Sequence, residues 1–240
     1  MHVEVAPCDL LTDLIDGFLS TLAGRYDDAP RIPFPREHPE LHFTVQNDQI
    51  TIRGSISIKD GDSELDRFLI EIVLPNDYPA SLPIVREVGG RIPKTLDRHV
   101  ILSTGDACVL LPEERWRLWP RGSSLLAFID GPLCNYFMGQ SLVEHGEPWP
   151  FGEWAHGFQG VLDYYKATFG TDEAPKIRKY LDYLAAKKVK GHWDCPCESG
   201  KRLRECHMAF VTDLRTKISR ADAARFVDRL KLLLQMQNKH

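Results

Sequence analysis

The chain has 240 residues and six cysteines, and its 34 acidic and 30 basic residues give a formal net charge of −4. It is 43% hydrophobic, which is enough for a sizeable buried core and argues against an intrinsically disordered chain. No apolar run approaches the roughly 18 residues of a membrane span, and the N-terminus lacks a secretory signal. We therefore expect a soluble, cytoplasmic protein without membrane contact. Cysteines stay reduced in that compartment, so we expect them to act as nucleophiles, metal ligands or core residues.

The order of predicted elements is typical of an α+β fold. In chain order, the apolar patterns predict a helix over 9–24, strands over 41–45, 49–58, 67–74 and 83–88, and helices over 123–138, 151–169, 175–187 and 219–237. Asn47-Asp48 is the predicted turn between the first two strands, and Ser123 or Ser124 is the predicted N-cap of the helix that follows. The strands form an antiparallel four-stranded meander flanked by helices. A long irregular segment, 89–107, precedes Cys108, and such loops in compact domains usually carry function.

Charge is distributed unevenly along the chain. Residues 175–240 contain 16 Lys and Arg against 7 Asp and Glu, a balance of +9, whereas residues 1–174 contain 14 against 27, a balance of −13. The turn at Gly170 and the lysine-rich connector 187–191 mark the change in composition. We therefore predict a main domain over 1–170, a helical linker over 171–192 and a small C-terminal module over 193–240.

The residues on either side of Cys108 form a recognisable constellation. It consists, in order, of Pro75-x-x-Tyr78-Pro79, Pro83, His99, Gly105-Asp106-Ala107-Cys108, Trp116 and Trp119-Pro120. In order and approximate spacing it resembles the ubiquitin-conjugating enzymes, in which a strand ends at P-x-x-Y-P and a loop with a His-Pro-Asn motif leads to the catalytic cysteine. The resemblance runs from about Gly54 to Met138 and implies the ubiquitin-conjugating (UBC) fold, with Cys108 as the nucleophile.

The chemistry that this resemblance implies is acyl transfer. A thiolate is the nucleophilic form of cysteine, so Cys108 would accept a ubiquitin-like modifier as a thioester from an activating-type enzyme and pass it to an amine on a target protein. His99 is followed by Val100-Ile101 instead of Pro-Asn, so the donor to the oxyanion is open: His99 itself, Asn135 or backbone amides. His99 has the alternative role of bracing the loop.

Three carboxylates near Cys108 are candidates for orienting the attacking amine or for accepting its proton. They are Asp106, Glu113 and Glu114. The alternative for each is an ordinary solvated acid on a loop. Cys8 and Cys134 have no neighbouring partner signal and are interpreted as core residues.

The C-terminal module contains a metal-binding pattern. Cys195, Cys197, Cys206 and His207 have the spacing C-x-C, eight residues, then C-H. Three thiolates and one imidazole match a closed tetrahedral Zn²⁺ site, which contributes folding energy and leaves no position open for chemistry. The segment resembles the SEC-C motif, whose usual form is C-P-C-G-S-G-K followed by C-H or C-C. Glu198 stands where that motif has its first glycine.

Together, the two resemblances imply a bacterial ubiquitin-conjugating-type transferase of an antiphage conjugation system. In related systems the acyl group comes from a nucleotidyltransferase C-terminus or from a ubiquitin-like protein, and both stay open. The basic residues Lys201, Arg202 and Arg204 imply an RNA or protein contact through the tail, with a solvated charged face as the alternative. Two other functions compete: a non-catalytic binding module with the UBC fold, and a zinc-dependent adaptor for a protein or RNA partner.

Overall fold

The computed structural model describes residues 32–33, 38–152 and 158–237. The chain divides into two compact units. We call Met1–Leu110 with Arg121–Phe151 the sheet unit, and Leu111–Pro120 with Gly152–His240 the helical unit. The predicted helix over 9–24 lies outside the described residues. Within the described part of the chain, no helix combines the length and the apolar character that crossing a membrane requires.

The sheet unit is built on one antiparallel sheet in which each strand pairs with the next along the chain. The strands are β1 (Ile32–Pro33), β2 (Leu41–Gln46), β3 (Gln49–Asp60), β4 (Ser63–Leu74) and β5 (Ile84–Glu87). Asn47 and Asp48, with φ of 50° and 60°, form the turn between β2 and β3. Asn and Asp tolerate this left-handed region better than most residues, which explains the turn. The predicted α+β class with an antiparallel meander is confirmed.

Alternation along β4 creates the core of the sheet unit. Phe68, Ile70, Ile72 and Leu74 are buried on one face of that strand, while Leu69 on the other face is 47% exposed. Phe68 contacts Phe137, with ring centroids 4.9 Å apart. Burying side chains of this size stabilises the fold by roughly 1.5–3 kcal/mol each, so the period-two pattern specifies which face of the sheet the helices cover.

The α-helices of the described residues range from four to 18 residues in length. They are α1 (Arg115–Leu118), α2 (Leu125–Phe128), α3 (Cys134–Glu144), α4 (Phe158–Phe169), α5 (Ala174–Ala185), α6 (Met208–Lys217) and α7 (Arg220–Gln237). Ser124 is the N-cap of α2, because its Oγ accepts a hydrogen bond of 3.1 Å from the amide of Ala127. A π-helical segment, Ile129–Leu133, joins α2 to α3 and contains Pro132. The helix predicted over 123–138 is therefore interrupted, and α3 continues to Glu144.

One hydrophobic core holds the helical unit together. Phe169 stacks between Tyr165 and Tyr180, with ring centroids 5.3 and 4.8 Å apart. The same core buries residues of every helix from α4 to α7, together with Cys195 and Leu203 from the segment between α5 and α6. The 171–192 segment, predicted as a linker, thus supplies α5 to this core.

A buried ion pair ties the start of the helical unit to α7. The Glu113 side chain is 1% exposed, and its Oε2 accepts a hydrogen bond from Arg229. Glu113 Oε1 is buried and has no hydrogen-bond partner among the described residues. Burial raises the pKa of Glu113, while the charge of Arg229 acts in the opposite direction. Arg229 therefore offsets part of the cost of burying this carboxylate.

We expect Arg229→Ala to lower the free energy of unfolding by about 2 kcal/mol at pH 7, because it leaves a buried carboxylate without its cation. Without Arg229 the folded-state pKa of Glu113 rises further above its ordinary value of 4.5. The penalty then grows as pH rises from the unfolded-state pKa to the folded-state pKa. Chemical denaturation should accordingly show a smaller difference from wild type at pH 5 than at pH 7.

Lys231→Ala is the matched control, since it removes an exposed pair with Asp228 on the same helix. It should change stability by less than about 0.5 kcal/mol at either pH. An equal loss for Arg229→Ala at both pH values would contradict the dependence of Glu113 on Arg229.

Candidate functional site

The four predicted metal ligands meet in the helical unit. Their ligand atoms all lie within 4.8 Å of one another. His207 Nδ1 is 3.1 Å from both Cys195 Sγ and Cys206 Sγ, and Cys197 Sγ is 3.3 Å from Cys195 Sγ and 3.6 Å from Cys206 Sγ. In a tetrahedral zinc site the Zn–ligand lengths require sulfur–sulfur separations of about 3.8 Å and sulfur–nitrogen separations of about 3.5 Å. The observed separations are shorter than these values by about 0.2 to 0.5 Å, so the cluster is close to the size that one such ion needs.

A short two-stranded ribbon positions these ligands. Asp194 pairs with Arg202, and the amides of Cys195 and Leu203 donate to the carbonyls of Lys201 and Trp193. The ribbon brings Cys195 and Cys197 to one side of the cluster. Cys206 and His207 lie on the other side, where the amide of Val211 in α6 donates to the carbonyl of His207 at 2.9 Å. The start of α6, absent from the predicted elements, therefore fixes the second pair of ligands.

The turn of the ribbon requires left-handed backbone at two positions. Gly200 has φ of +76°, which glycine adopts without penalty. Glu198 has φ of +60°, in a region that costs an ordinary L-residue roughly 1–2 kcal/mol. This is the position at which the SEC-C pattern has glycine. The departure noted in the sequence therefore carries a local strain.

The electrostatics of the cluster favour a divalent cation. Burial raises the pKa of the Cys195 thiol, so that sulfur resists losing its proton in the absence of a positive charge. Thiolates a few ångströms apart also repel one another. A cation bound by all four groups removes both penalties, and a set of three soft sulfurs and one imidazole suits Zn²⁺. The residues present could therefore hold a metal ion.

Basic residues surround the ribbon. Arg202 pairs with Asp194 at 2.5 Å, and Arg204 pairs with Glu205 at 3.1 Å, so two of the three predicted contact residues have carboxylate partners. Lys201 is exposed. Nearby, the rings of Tyr183 and Trp193 lie 4.7 Å apart. The predicted contact with RNA or protein stays a prediction.

The second candidate site is the Cys108 loop of the sheet unit. The Cys108 side chain is exposed. Its amide donates to the carbonyl of His99 at 2.7 Å, and the amide of Ala107 donates to the carbonyl of Val85 in β5 at 2.7 Å. Val100 and Ala107 form an isolated antiparallel bridge. The thiol thus projects from a backbone that is fixed on both sides, and these two amides are committed within the protein rather than directed at an oxyanion.

His99 lies at the turn that supports Cys108. It has left-handed dihedrals, φ 49° and ψ 44°. Its ring packs against Trp149 with centroids 4.3 Å apart, and its Nε2 atom is buried. Trp149 in turn lies over Gly139, where an added Cβ would come within 2.6 Å of the indole ring. These contacts favour the loop-bracing role of His99 over a role as donor to substrate.

Asp106 takes part in an ion-pair network with the sheet. Its Oδ1 accepts from Arg86 Nε at 2.7 Å, and Arg86 also pairs with Glu71 at 3.2 Å. The carbonyl of Asp106 accepts the amide of Ile101 at 2.8 Å. Asp106 therefore anchors the loop to β4 and β5, an arrangement that the sequence pattern did not reveal.

The remaining predicted residues lie in different settings. Glu113 and Glu114 are buried in the helical unit, whereas Asn135 is exposed on α3 of the sheet unit. Burial, with a contribution from Asp130, raises the pKa of Cys134 to about 11, which suits a core thiol. Cys8 lies outside the described residues.

Comparisons with known proteins identify no relative of this chain. No family model, no curated protein and no solved structure matches this chain. The likeness to ubiquitin-conjugating enzymes and to the SEC-C motif therefore depends on the residues named above and on their arrangement.

We expect the purified protein to contain one zinc ion per chain, and chelation to unfold the helical unit, because Cys195 belongs both to the ligand cluster and to the core. Elemental analysis would measure the metal, and near-ultraviolet circular dichroism would report the packing of Tyr165 and Tyr180. Cys195→Ser should lose the metal, whereas Cys134→Ser should keep it. A metal-free protein whose melting temperature is unaffected by chelator would contradict this prediction.

We expect Glu198→Gly to stabilise the helical unit by about 1 kcal/mol, because glycine relieves the left-handed strain. Glu198 Oε2 also lies 3.6 Å from Lys176 Nζ, a long ion pair in which the Glu198 side chain is 57% exposed, so the pair contributes little. Glu198→Ala is the matched control, since it removes the same pair and keeps the Cβ. Denaturant titration in saturating zinc should rank the glycine variant above the alanine variant; the reverse order would refute the strain.

Proposed function

We propose that this protein is a ubiquitin-conjugating-type transferase in which Cys108 carries the acyl group. The observation that supports this proposal best is the exposed Cys108 thiol on a backbone pinned by His99 and by β5. Acyl transfer needs such an arrangement, because the nucleophile must reach two large partners in turn and keep one geometry in both encounters. The constellation of residues around Cys108 supports the same class of reaction.

The proposed reaction is a pair of acyl exchanges. The Cys108 thiolate attacks the thioester carbonyl of a modifier held by an activating-type enzyme, and the thiolate of that enzyme leaves. The amine of a target then attacks the new thioester, an amide bond forms, the Cys108 thiolate leaves, and the proton of the amine passes to a base or to water. No oxidant or reductant is required.

Two of the predicted residues near Cys108 have supporting roles in this proposal. Asp106 holds the loop through Arg86, and His99 braces the turn beneath the thiol. The zinc ligands Cys195, Cys197, Cys206 and His207 stabilise the helical unit and take no part in the exchange. The modifier is a ubiquitin-like protein or the C-terminus of another protein, such as a nucleotidyltransferase of a bacterial antiphage system.

The test uses the full chain with an activating-type enzyme, ATP and a ubiquitin-like modifier from the same gene neighbourhood. We expect an adduct that survives a non-reducing gel and disappears with thiol. Cys108→Ser should give an adduct that resists thiol, because serine forms an oxygen ester, and Cys108→Ala should give none. Cys134→Ser serves as the control and should behave like wild type.

A thiol-sensitive adduct that persists in Cys108→Ala would assign the chemistry to another residue. If no adduct forms with any cognate set, while Cys108→Ala still binds the modifier as wild type does, the protein is a non-catalytic binding module instead.

A further inference from the structure

The turn at Arg98 and His99 is hydrogen-bonded to the backbone of Cys108. The amide of His99 donates to the carbonyl of Leu96 at 2.7 Å, which closes the turn. The carbonyl of His99 then accepts the amide of Cys108 at 2.7 Å. Left-handed backbone at a histidine costs energy, so neighbouring groups must hold it in place.

Two side chains of α3 hold this turn. Gln140 Nε2 donates to the carbonyl of Arg98 at 2.6 Å, and Gln140 Oε1 accepts from Arg98 Nε at 2.7 Å. Tyr136 Oη lies 3.3 Å from the carbonyls of both Arg98 and His99, and donates to them. Gln140 is 0% exposed and Tyr136 is 2% exposed. Buried amide and hydroxyl groups are retained only when their hydrogen bonds are made, so both are committed to the turn.

The pKa of the Tyr136 hydroxyl also depends on the charge of Cys108. Burial is the main cause that raises the pKa of Tyr136, and a negative charge on Cys108 raises it further. Tyr136 donates to the carbonyl of His99, which also accepts the amide of Cys108, so its hydroxyl is connected to the Cys108 backbone through a single carbonyl. Other charged groups near this turn and the Cys108 loop are Arg86, Glu87, Lys94, Asp106 and Glu144.

The geometry points to Gln140 and Tyr136 as positioning residues that fix the backbone of Cys108 through the Arg98–His99 turn. In the His-Pro-Asn motif of ubiquitin-conjugating enzymes, the Asn follows the histidine in sequence. In this chain a side-chain amide, that of Gln140 on α3, contacts the turn at the histidine instead. This inference builds on the proposed function, because it concerns the same nucleophile. Neither residue belongs to the motif around Cys108, and neither has a role predicted from the sequence.

Amide hydrogen exchange tests the positioning directly. Gln140→Met keeps the length of the side chain but removes its donor, so exchange at the amide of Cys108 should accelerate about tenfold as the turn opens. Tyr136→Phe removes only the hydroxyl and should accelerate it about threefold. Exchange in the middle of β3 and β4 should stay unchanged. Gln49→Met, an exposed substitution of the same kind, is the control.

The reactivity of Cys108 gives a readout that general destabilisation would not change. Of the two donors on α3, the Arg98 carbonyl in Gln140→Met keeps only the longer hydrogen bond, from Tyr136. The carbonyl dipoles of the turn are then less well compensated, which disfavours a thiolate at Cys108. Alkylation by iodoacetamide, followed on the Cys108 peptide by mass spectrometry, should show a pH–rate midpoint about half a unit higher in Gln140→Met. Near pH 7 the rate should fall about threefold.

Unchanged exchange at Cys108 together with an unchanged pH–rate midpoint, in a folded Gln140→Met protein, would overturn the inference. If that variant fails to fold, Tyr136→Phe decides, with the same two outcomes. Neither measurement involves a modifier. A positive result with no thioester adduct would therefore retain the positioning role and reject the proposed function, and the opposite pair of results would do the reverse.

Discussion

The position of Cys195 constrains the whole helical unit. Its sulfur lies in the cluster of metal ligands, while the residue is 2% exposed within the core formed by the helices. A single side chain therefore belongs to two systems that must form together. The ribbon cannot leave the core without separating Cys195 from His207, and the core cannot loosen without exposing the thiol. A metal ion held by these four residues would add its binding free energy to that of the apolar contacts.

In the Cys108 loop, by contrast with Cys195, contacts with other elements hold mainly the backbone. Its carbonyls and amides are bonded to β5, to the turn at His99 and, through that turn, to α3. The side chain of Cys108 is exposed. Under the proposed function this division would favour Cys108, since an accessible side chain on a fixed backbone loses little entropy when the transition state forms. The irregular segment before Cys108 is thus structurally defined although it lacks regular secondary structure.

Much of the fold could be predicted from local patterns, because period-two and helical spacing directly reflect burial. The strands β2 to β5 begin and end near their predicted residues, apart from β4, which begins at Ser63 rather than at Arg67. The ligand cluster could be predicted equally well, because four residues that can coordinate a metal lie within 13 positions of the sequence. Helix α6 was missed because its apolar face is narrow and its first residue adjoins a metal ligand.

The supports of the site could not be predicted in the same way. Gln140 lies 32 positions after Cys108 and beyond the end of the predicted helix, so nothing local connects the two. Arg86 is an ordinary charged residue at the end of β5 until the fold brings Asp106 to it. Polar residues that contact backbone from a distant element leave no periodic signal. They become visible only when each buried donor and acceptor is matched to its partner.

The uneven charge of the sequence follows the division of the chain into two units. By sequence the sheet unit holds 21 acidic and 11 basic residues, a balance of −10, and the helical unit holds 13 and 19, a balance of +6. A net charge of either sign attracts partners of the opposite charge. Screening shortens such attraction to about 8 Å at physiological ionic strength, so it acts mainly on the rate of encounter. Short-range contacts at the loop that precedes Cys108 would involve apolar side chains, since Leu96, Ile101 and Leu102 are 45%, 42% and 60% exposed.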